Sequence, residues 1–289
     1  MNKKGLIVIN GYGVADGVKH QLRRLKEEFS KRNVEIDVRT STDIFSYLKE
    51  GNVSVSLPKY DFVIYTDKDR YIAEELEKAG YRLFNSSSAI VKCDDKMLTH
   101  LTLSNQGIKM PTTISSALCY RDDGNREYLD KVIEIIGVPM IVKENYGSLG
   151  RQVYLVKTNQ ELLDLENKLI HVPHIFQEFI ESSKGKDYRL IVIGGKVVAY
   201  MKRENKNSYL SNLATGGKSS VVELPKWYFE MAEKAAQILG LDYCGVDILE
   251  GKNGEPILSE VNSNAFYEGI EKTTGINVAQ LYVEYILSK

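Results

Sequence analysis

Two carboxylates and an amide in the segment Tyr243 to Asn262, reading YCGVDILEGKNGEPILSEVN, have the types and spacing of a divalent-cation site. Asn253-Gly254 is a strong hairpin signal, because a type I′ turn needs positive φ at both central residues. With that turn, Lys252 pairs with Glu255, and counting outward along the ladder sets Asp247 opposite Glu260; Asn262, two residues on, faces the same way. Like charges opposed at about 5 Å are destabilising, and a cation removes that penalty. Oxygen-only ligands suit Mg²⁺, which takes one or two carboxylates and completes its shell with water and substrate phosphate. The competing reading is a hairpin with its charges on a solvated face. Val246, Ile248, Leu249, Ile257, Leu258 and Val261 weigh against it, since a lone carboxylate buried among such residues is costly.

Other residues have chemistry suited to phosphate. Lys143 ends the strand MIVK and precedes NYGSLGR, whose backbone N–H groups around Ser148 could close over an anion while the lysine supplies a point charge. A plain hairpin turn is the alternative, and GxxxxGK[ST] is absent. Arg189 on DYRLIVI and Arg203 after KVVAYMK carry planar guanidinium groups suited to bidentate grip on phosphate or carboxylate, although each alone also reads as a solvated charge. Glu178 stands charged among the hydrophobes of QEFI. The loop from Asn205 to Gly217 is polar and too long for a simple connection, which favours a functional role. His171 and His174 could suggest a metal pair, but HVPH contains a proline and leads into a strand, so they read as ordinary polar residues.

The elements that must position these residues fall into two styles. Residues 1 to about 90 alternate short apolar strands (GLIVI, VEIDV, DFVIY, YRLF) with amphipathic helices, the pattern of a parallel sheet with covered faces. Asn10-Gly11-Tyr12-Gly13 follows the first strand as an incomplete GxGxxG, and reads either as a tight turn or as part of a substrate pocket. A boundary is expected between Ser86 and Val91. Beyond it come a helix at Asp95 to Gln106, a helix ending near Gly137, MIVK, a glycine loop, QVYLV, a helix at Glu161 to Leu169 and HIFQEFI. A hairpin across Gly194-Gly195, a helix from about Pro225 to Leu239, the carboxylate hairpin and a terminal helix complete the chain.

Composition narrows the function classes. The chain has 289 residues, with 38 lysines and arginines against 39 acids, and that balance offers no electrostatic footprint for nucleic acid or an acidic membrane. Cys93, Cys119 and Cys244 show no CxxC spacing and fit reduced thiols in the cytoplasm. No apolar run approaches a membrane span, and MNKKGLIVINGYG lacks a signal-peptide layout.

The order of the weaker motifs resembles the ATP-grasp ligases, and within them the RimK-like amino-acid (α-L-glutamate type) ligases. NSSSAIVKCDDKMLTHLTLSNQGIKMPTT sets Lys96 at the first nucleotide-binding lysine, and MIVKENYGSLGRQV sets Lys143 at the second. QEFIE matches the adenine strap, and KDYRLIVIGGKVVAYMKR carries Asp187, Arg189 and Arg203. SNLATGG, with Ser211, Asn212, Gly216 and Gly217, then leads to GVDIL, SEVNSN and EGIEKTTGI. The resemblance covers about residues 85 to 289 and the first lobe only in architecture. It implies an α/β (α+β) ATP-grasp fold: a Rossmann-like N-terminal lobe over residues 1–90 and an ATP-grasp domain over 91–289, with a lid at about 112–178 and a metal and phosphate portion at 179–289.

The function so implied is ADP-forming carboxylate–amine ligation through an acyl phosphate, using ATP and two Mg²⁺ ions, with Mn²⁺ able to substitute. Asp247, Glu260 and Asn262 would hold the metals, Lys96 and Lys143 the α and β phosphates, and the loop at Ser148 would close over the nucleotide. Gln177, Glu178 and Ile180 would frame the adenine, mostly through backbone groups, with Asp187 also at the nucleotide. Arg203 and Asn212 would reach the transferred phosphoryl group and the oxyanion, and Arg189 would orient the carboxyl substrate. The partners are a small-molecule or peptide carboxylate and an amino-acid amine, with no nucleic acid and no membrane; related ligases form dimers or tetramers. The alternatives are a peptide-modifying ligase and a non-catalytic ATP-binding regulator, which would be expected to have lost a metal ligand or an arginine retained here. Replacing Asp247 or Glu260 by alanine is expected to abolish ligation and spare the fold. Two departures from the family pattern, Gly150-Arg151-Gln152-Val153 in the phosphate loop and Ser263-Asn264-Ala265-Phe266-Tyr267 after EVN, keep substrate identity open.

Overall fold

The computed structural model describes residues 3–122 and 124–289. The chain opens with β1 (Lys4–Ile9), α1 (Asp16–Ser30), β2 (Glu35–Thr40), a hairpin of β3 (Ser46–Lys49) and β4 (Asn52–Val55), then β5 (Phe62–Tyr65), α2 (Arg70–Lys78) and β6 (Leu83–Phe84). Its sheet runs β2-β1-β5-β6, all parallel, as the strand–helix alternation predicts. The β3–β4 hairpin is an addition that the alternation does not announce.

α3 (Ser87–Asp94) and α4 (Lys96–Leu103) follow, each begun by a side-chain cap: Ser86 Oγ accepts from the Ala89 N–H and the Asp95 carboxylate from the Leu98 N–H. Thus Asp95, expected as the first residue of a helix, is the cap before it. Next come β7 (Thr113–Ser115), α5 (Tyr128–Ile136), β8 (Met140–Glu144), β9 (Val153–Val156), α6 (Asn159–Leu169) and β10 (His174–Glu178), whose strands form an antiparallel sheet in the order β7-β10-β8-β9. Met140, Val142 and Phe176 bury one face of this sheet with residues of α5 and α6. Ile141, Lys143 and Gln177 belong to the other face, because residues alternate along a strand and Ile141 is paired with Gln177.

The last portion comprises β11 (Lys186–Ile193), β12 (Lys196–Glu204), β13 (Lys218–Ser220), α7 (Lys226–Leu239), β14 (Tyr243–Glu250), β15 (Pro256–Asn262), α8 (Glu268–Thr274) and α9 (Val278–Leu287), with the sheet order β13-β12-β11-β14-β15. β11 shows how sequence sets the site. Tyr188, Leu190 and Val192 pack under α7, while Ile191 and Ile193 join the opposite core, so the strand is apolar on both faces until Asp187 and Arg189 interrupt it at one end. That polar end lies at the cleft between the β7-β10-β8-β9 sheet and this sheet.

The first sheet has a core of its own on one face, around Leu6, Val8, Val63, Ala73 and Leu76, and shares the core on its other face. Ile7, Leu25, Phe29 and Phe62 belong to one buried cluster with Ile191, Met201, Tyr243, Tyr282 and Val283, and α9 packs against α1, β11 and β12. Asn85 adds a polar clamp at this junction: its amide nitrogen donates to the Tyr243 and Ser263 carbonyls, both at 2.8 Å, and its oxygen accepts from the Asp242 and Tyr243 N–H groups at 2.7 and 2.9 Å. All four hydrogen-bonding positions of a buried amide are thereby satisfied. Among the described residues no helix is long and apolar enough to cross a membrane.

Candidate active site

β14 and β15 set Asp247 opposite Glu260 and Gly245 opposite Asn262. The pairing is the one expected from the sequence, but the route to it differs. The loop has positive φ only at Gly254 (φ 80°), and the Gly254 N–H donates to the Gly251 carbonyl at 3.0 Å, so it is a three-residue loop rather than a two-residue type I′ turn. The Glu255 carboxylate supports the wider loop by accepting from the Asn253 N–H at 2.9 Å and from Lys109 at 2.8 Å. Ile248, Leu249 and Glu250 consequently pair with Leu258, Ile257 and Pro256, one residue out of the expected register. A bulge at Ser259 restores the register just before Glu260.

Asp247 is only 5% exposed, which overturns the solvated-face reading. Its partners are arginines set by strand pairing: Arg189 lies opposite Asp247 across β11 and β14, and Arg203 lies opposite Asp187 across β11 and β12. Arg189 grips Asp247 through Nε and through Nη2, the latter at 2.7 Å. Arg203 donates from Nε and Nη2 to Asp187 at 2.7 and 2.5 Å, and its Nη2 lies 2.9 Å from Asp247 Oδ1. The four buried side chains form the charge-balanced series Asp187, Arg203, Asp247, Arg189. Burial pushes the Asp247 carboxyl up, but Arg189 and Arg203 outweigh it and hold the group below the usual carboxylate range. Burial likewise opposes the charge on Arg203, and Asp187 with Asp247 more than reverse the effect. Each arginine keeps its Nη1 donors outside these pairs.

Lys96 and Lys143 are each 8% exposed. Their nearest polar partners are long: Lys96 Nζ is 3.5 Å from the Asn145 carbonyl, and Lys143 Nζ is 3.4 Å from Ser259 Oγ. Among the described residues neither ammonium forms an ion pair. Burial pulls the Lys143 pKa down to about 8; Glu260 acts against that shift and Lys96 adds to it. Two buried cations of this kind are costly unless an anion joins them.

Two loops face each other over these groups. Gly150 has φ 74°, and a Cβ there would sit 3.2 Å from the Asn212 amide oxygen, so the position favours glycine for backbone and space alike. Tyr209 OH donates to the Val153 carbonyl at 2.8 Å, tying the 205–217 loop to β9. The Ser148 N–H is already engaged by Gln152 Oε1 at 3.3 Å. Glu178 is exposed, and its carboxylate accepts from the Thr112 N–H and hydroxyl, both at 3.1 Å. Lys96, Lys143, Ser148, Gln177, Glu178, Ile180, Asp187, Arg189, Arg203, Asn212, Asp247, Glu260 and Asn262 all line one cleft of about 1590 Å³.

The cleft also includes Asp67, which sequence reasoning left aside, and residues it raised without a role. Asn10, Gly13 and Asp67 reach it from the first portion of the chain, and Phe266 from the segment after β15. The Asn10 loop is both things it could have been: its side-chain oxygen accepts from the Tyr12 and Gly13 N–H groups at 2.9 and 3.2 Å, a tight turn, and it forms part of the cleft wall. His174 is buried on Glu166 at 2.9 Å, away from the cleft, as an ordinary polar residue. Among the described residues no group of three or more His, Cys, Asp or Glu side chains is placed to hold a metal. The oxygen donors of Asp247, Glu260 and Asn262 fit a hard cation that obtains its remaining ligands from water and phosphate.

Residues 93–286 match the RimK-like ATP-grasp domain. A probable alpha-L-glutamate ligase of Vibrio vulnificus (strain YJ016) is 34% identical over 281 residues, covering 91% of this chain and 90% of that protein. Beta-citrylglutamate synthase B of Danio rerio is 29% identical over 283 residues, covering 92% of this chain and 69% of that protein. Two solved structures share the fold. The ATP-grasp ligase PsnB complexed with minimal precursor aligns with a TM-score of 0.74 at 17% identity, over 100% of this chain and 99% of that one. The D-alanine--D-alanine ligase of Bacillus anthracis complexed with ATP aligns with a TM-score of 0.72 at 20% identity, over 99% of this chain and 96% of that one.

Proposed function

The chain belongs to the RimK-like ATP-grasp family of amide-forming, ATP-dependent ligases, and from that premise we propose which of its residues perform the ligation and on what. The observation that carries the reading is the pair of buried ammonium groups without carboxylate partners among the described residues, in the same cleft as a hairpin that opposes two carboxylates. A polyphosphate with its divalent cation satisfies both at once.

A carboxylate is a poor electrophile. Transfer of the γ-phosphoryl group of ATP to a carboxylate oxygen gives ADP and an acyl phosphate; the amine then attacks the carbonyl carbon and phosphate leaves. Lys96 and Lys143 would bind the α and β phosphates as point charges. Asp247, Glu260 and Asn262 would hold one or two Mg²⁺ ions, or Mn²⁺ in their place. When bound, such ions neutralise charge that develops on the phosphates during transfer. Arg203, fixed by Asp187 and Asp247, would direct its free Nη1 donors and Asn212 its amide toward the transferred group and the later oxyanion, a role in which one positioned donor is worth about 3 kcal/mol. Arg189, held by Asp247, would orient the carboxyl substrate. Glu178 and Ile180 would frame the base, and the loop around Ser148 and Gly150 would close with the 205–217 loop to exclude water from the acyl phosphate. Residues of about 112–178 would form the moving lid.

Both relatives carry glutamate in their names, so glutamate is the first amine to offer. A second reading, a peptide carboxylate as acceptor, is favoured by one observation. The cleft of about 1590 Å³ exceeds the roughly 300–1,000 Å³ typical of small-ligand sites, leaving room beside a nucleotide. The free thiols Cys93, Cys119 and Cys244 fit a cytoplasmic setting.

The test is to incubate the protein with Mg²⁺ and ATP against a panel of carboxylic acids, amino acids and peptides, reading ADP and product mass. A condensation product with glutamate, formed by wild type and lost in Glu260→Ala, is expected. Absence of ADP with every pair, or a product that Glu260→Ala forms at the wild-type rate, contradicts the reading. A product only with peptide acids selects the second.

A further inference from the structure

A buried hydrogen-bond chain beside the cleft has no part in the phosphate chemistry above. His100 on α4 is 7% exposed; its Nδ1 lies 3.1 Å from the Met110 sulfur and its Nε2 lies 3.2 Å from the Gln177 amide nitrogen. A thioether sulfur has lone pairs and no proton to give, so Nδ1 carries the hydrogen. Burial, with Lys143 adding to it, pulls the His100 pKa down to about 4, so the ring is neutral at pH 7. A neutral ring protonated on Nδ1 leaves Nε2 as an acceptor. Gln177 must therefore present its NH₂ group to His100.

Thr113 imposes the same orientation independently. Its hydroxyl donates to the Pro111 carbonyl at 2.9 Å, so its lone pairs face the Gln177 amide nitrogen at 3.0 Å. With the NH₂ group held by two acceptors, the Gln177 carbonyl oxygen points away from both. Gln177 pairs with Ile141, and Ile175 with Lys143, which places these side chains on one face of the lid sheet; Ile141, Lys143 and Gln177 line the cleft. No described residue donates to Gln177 Oε1.

We propose that His100 is a positioning residue that, by fixing the Gln177 amide, makes the cleft select a base bearing an exocyclic amine, adenine, over guanine, which bears a carbonyl oxygen there. This rests on the cleft being the ATP site. It also revises the expectation that the strap reads adenine mostly through its backbone. Opposing two acceptors leaves both unpaired in a partly dry site, which costs more than the ordinary net worth of a hydrogen bond.

The experiment measures binding by calorimetry, with Mg²⁺, of ATP, GTP and purine riboside triphosphate, which is ATP without the exocyclic amine. Wild type is expected to favour ATP over the purine analogue by about tenfold, the worth of one hydrogen bond. His100→Leu should bring that ratio to within about twofold. His100→Gln, whose side-chain oxygen can replace Nε2 as the acceptor, should restore it. General destabilisation moves all three affinities together and leaves the ratio unchanged. Should His100→Leu fail to fold, Gln177→Leu removes the reading oxygen directly and must lose the preference. Wild-type discrimination that persists in the leucine variants overturns the proposal, and so does a wild type that binds ATP and the analogue equally. Failure to bind any adenine nucleotide overturns it together with the ATP reading.

Discussion

Asp247 and Glu260 face each other across one hairpin, yet they should fail differently. Glu260→Ala removes a cleft carboxylate that pairs with no arginine among the described residues, so turnover should fall by about a hundredfold or more while the unfolding midpoint is kept. Asp247→Ala also strips buried Arg189 of its carboxylate partner and leaves Arg203 with Asp187 alone, and urea titration should show a stability loss of about 3 kcal/mol on top of the lost turnover. The expectation of an intact fold for both variants thus narrows to Glu260. A second residue-scale prediction concerns Lys143. Its pKa is depressed to about 8, so the ammonium is charged below that pH and loses its proton as pH rises through it. ATP affinity should weaken between pH 7 and 9, and Lys143→Met should be weak at both and nearly flat. At this scale the sequence was legible where a turn and a ladder could be counted. The count reached Asp247 and Glu260 because two one-residue offsets, the wider loop and the Ser259 bulge, cancel. The pairing of Asp187 with Arg203 and the hold of His100 on Gln177 were not legible, because each depends on a register or a helix packing that no local spacing encodes.

Among the elements, the glycine loop between β8 and β9 carries the most specific prediction. Gly150→Ala places a methyl group against Asn212 in a backbone conformation costing a non-glycine residue about 1–2 kcal/mol. The loop should then spend less time against the 205–217 loop, so turnover should drop severalfold with little change in the melting midpoint, as steady-state kinetics beside a thermal melt would show. Strands and helices were legible where periodicity was strong: the parallel alternation of the first lobe, β11 as a doubly buried run, and α7 between Pro225 and Gly240. Short elements were legible only where an apolar run marked them, as at β5, β6 and β9. β3, β4, β7 and β13 have three or four residues each and no continuous apolar run, so neither a period nor a run registers. Pro225 itself caps α7 from outside rather than occupying its first turn.

Over the whole molecule, the sequence announces lobes but not how they share a core. α9 reads VAQLYVEYIL, apolar around most of its circumference, which marks it as buried without saying between what. In the structure it lies against α1 and against β11 and β12, and Tyr282 is buried at the junction. Tyr282→Ala should therefore cost about 3–5 kcal/mol and shift a single unfolding transition seen both by first-lobe and by later probes, rather than release one lobe. That shared core gives the cleft one wall built from both portions of the chain. The most direct test of the ligase account follows an oxygen atom. With ATP, Mg²⁺, an amine and an acid substrate labelled with ¹⁸O in its carboxylate, mass spectrometry of the released phosphate should find one labelled oxygen for every amide formed, because that oxygen bridges carbonyl and phosphorus in the acyl phosphate. Amide formation with unlabelled phosphate would contradict it.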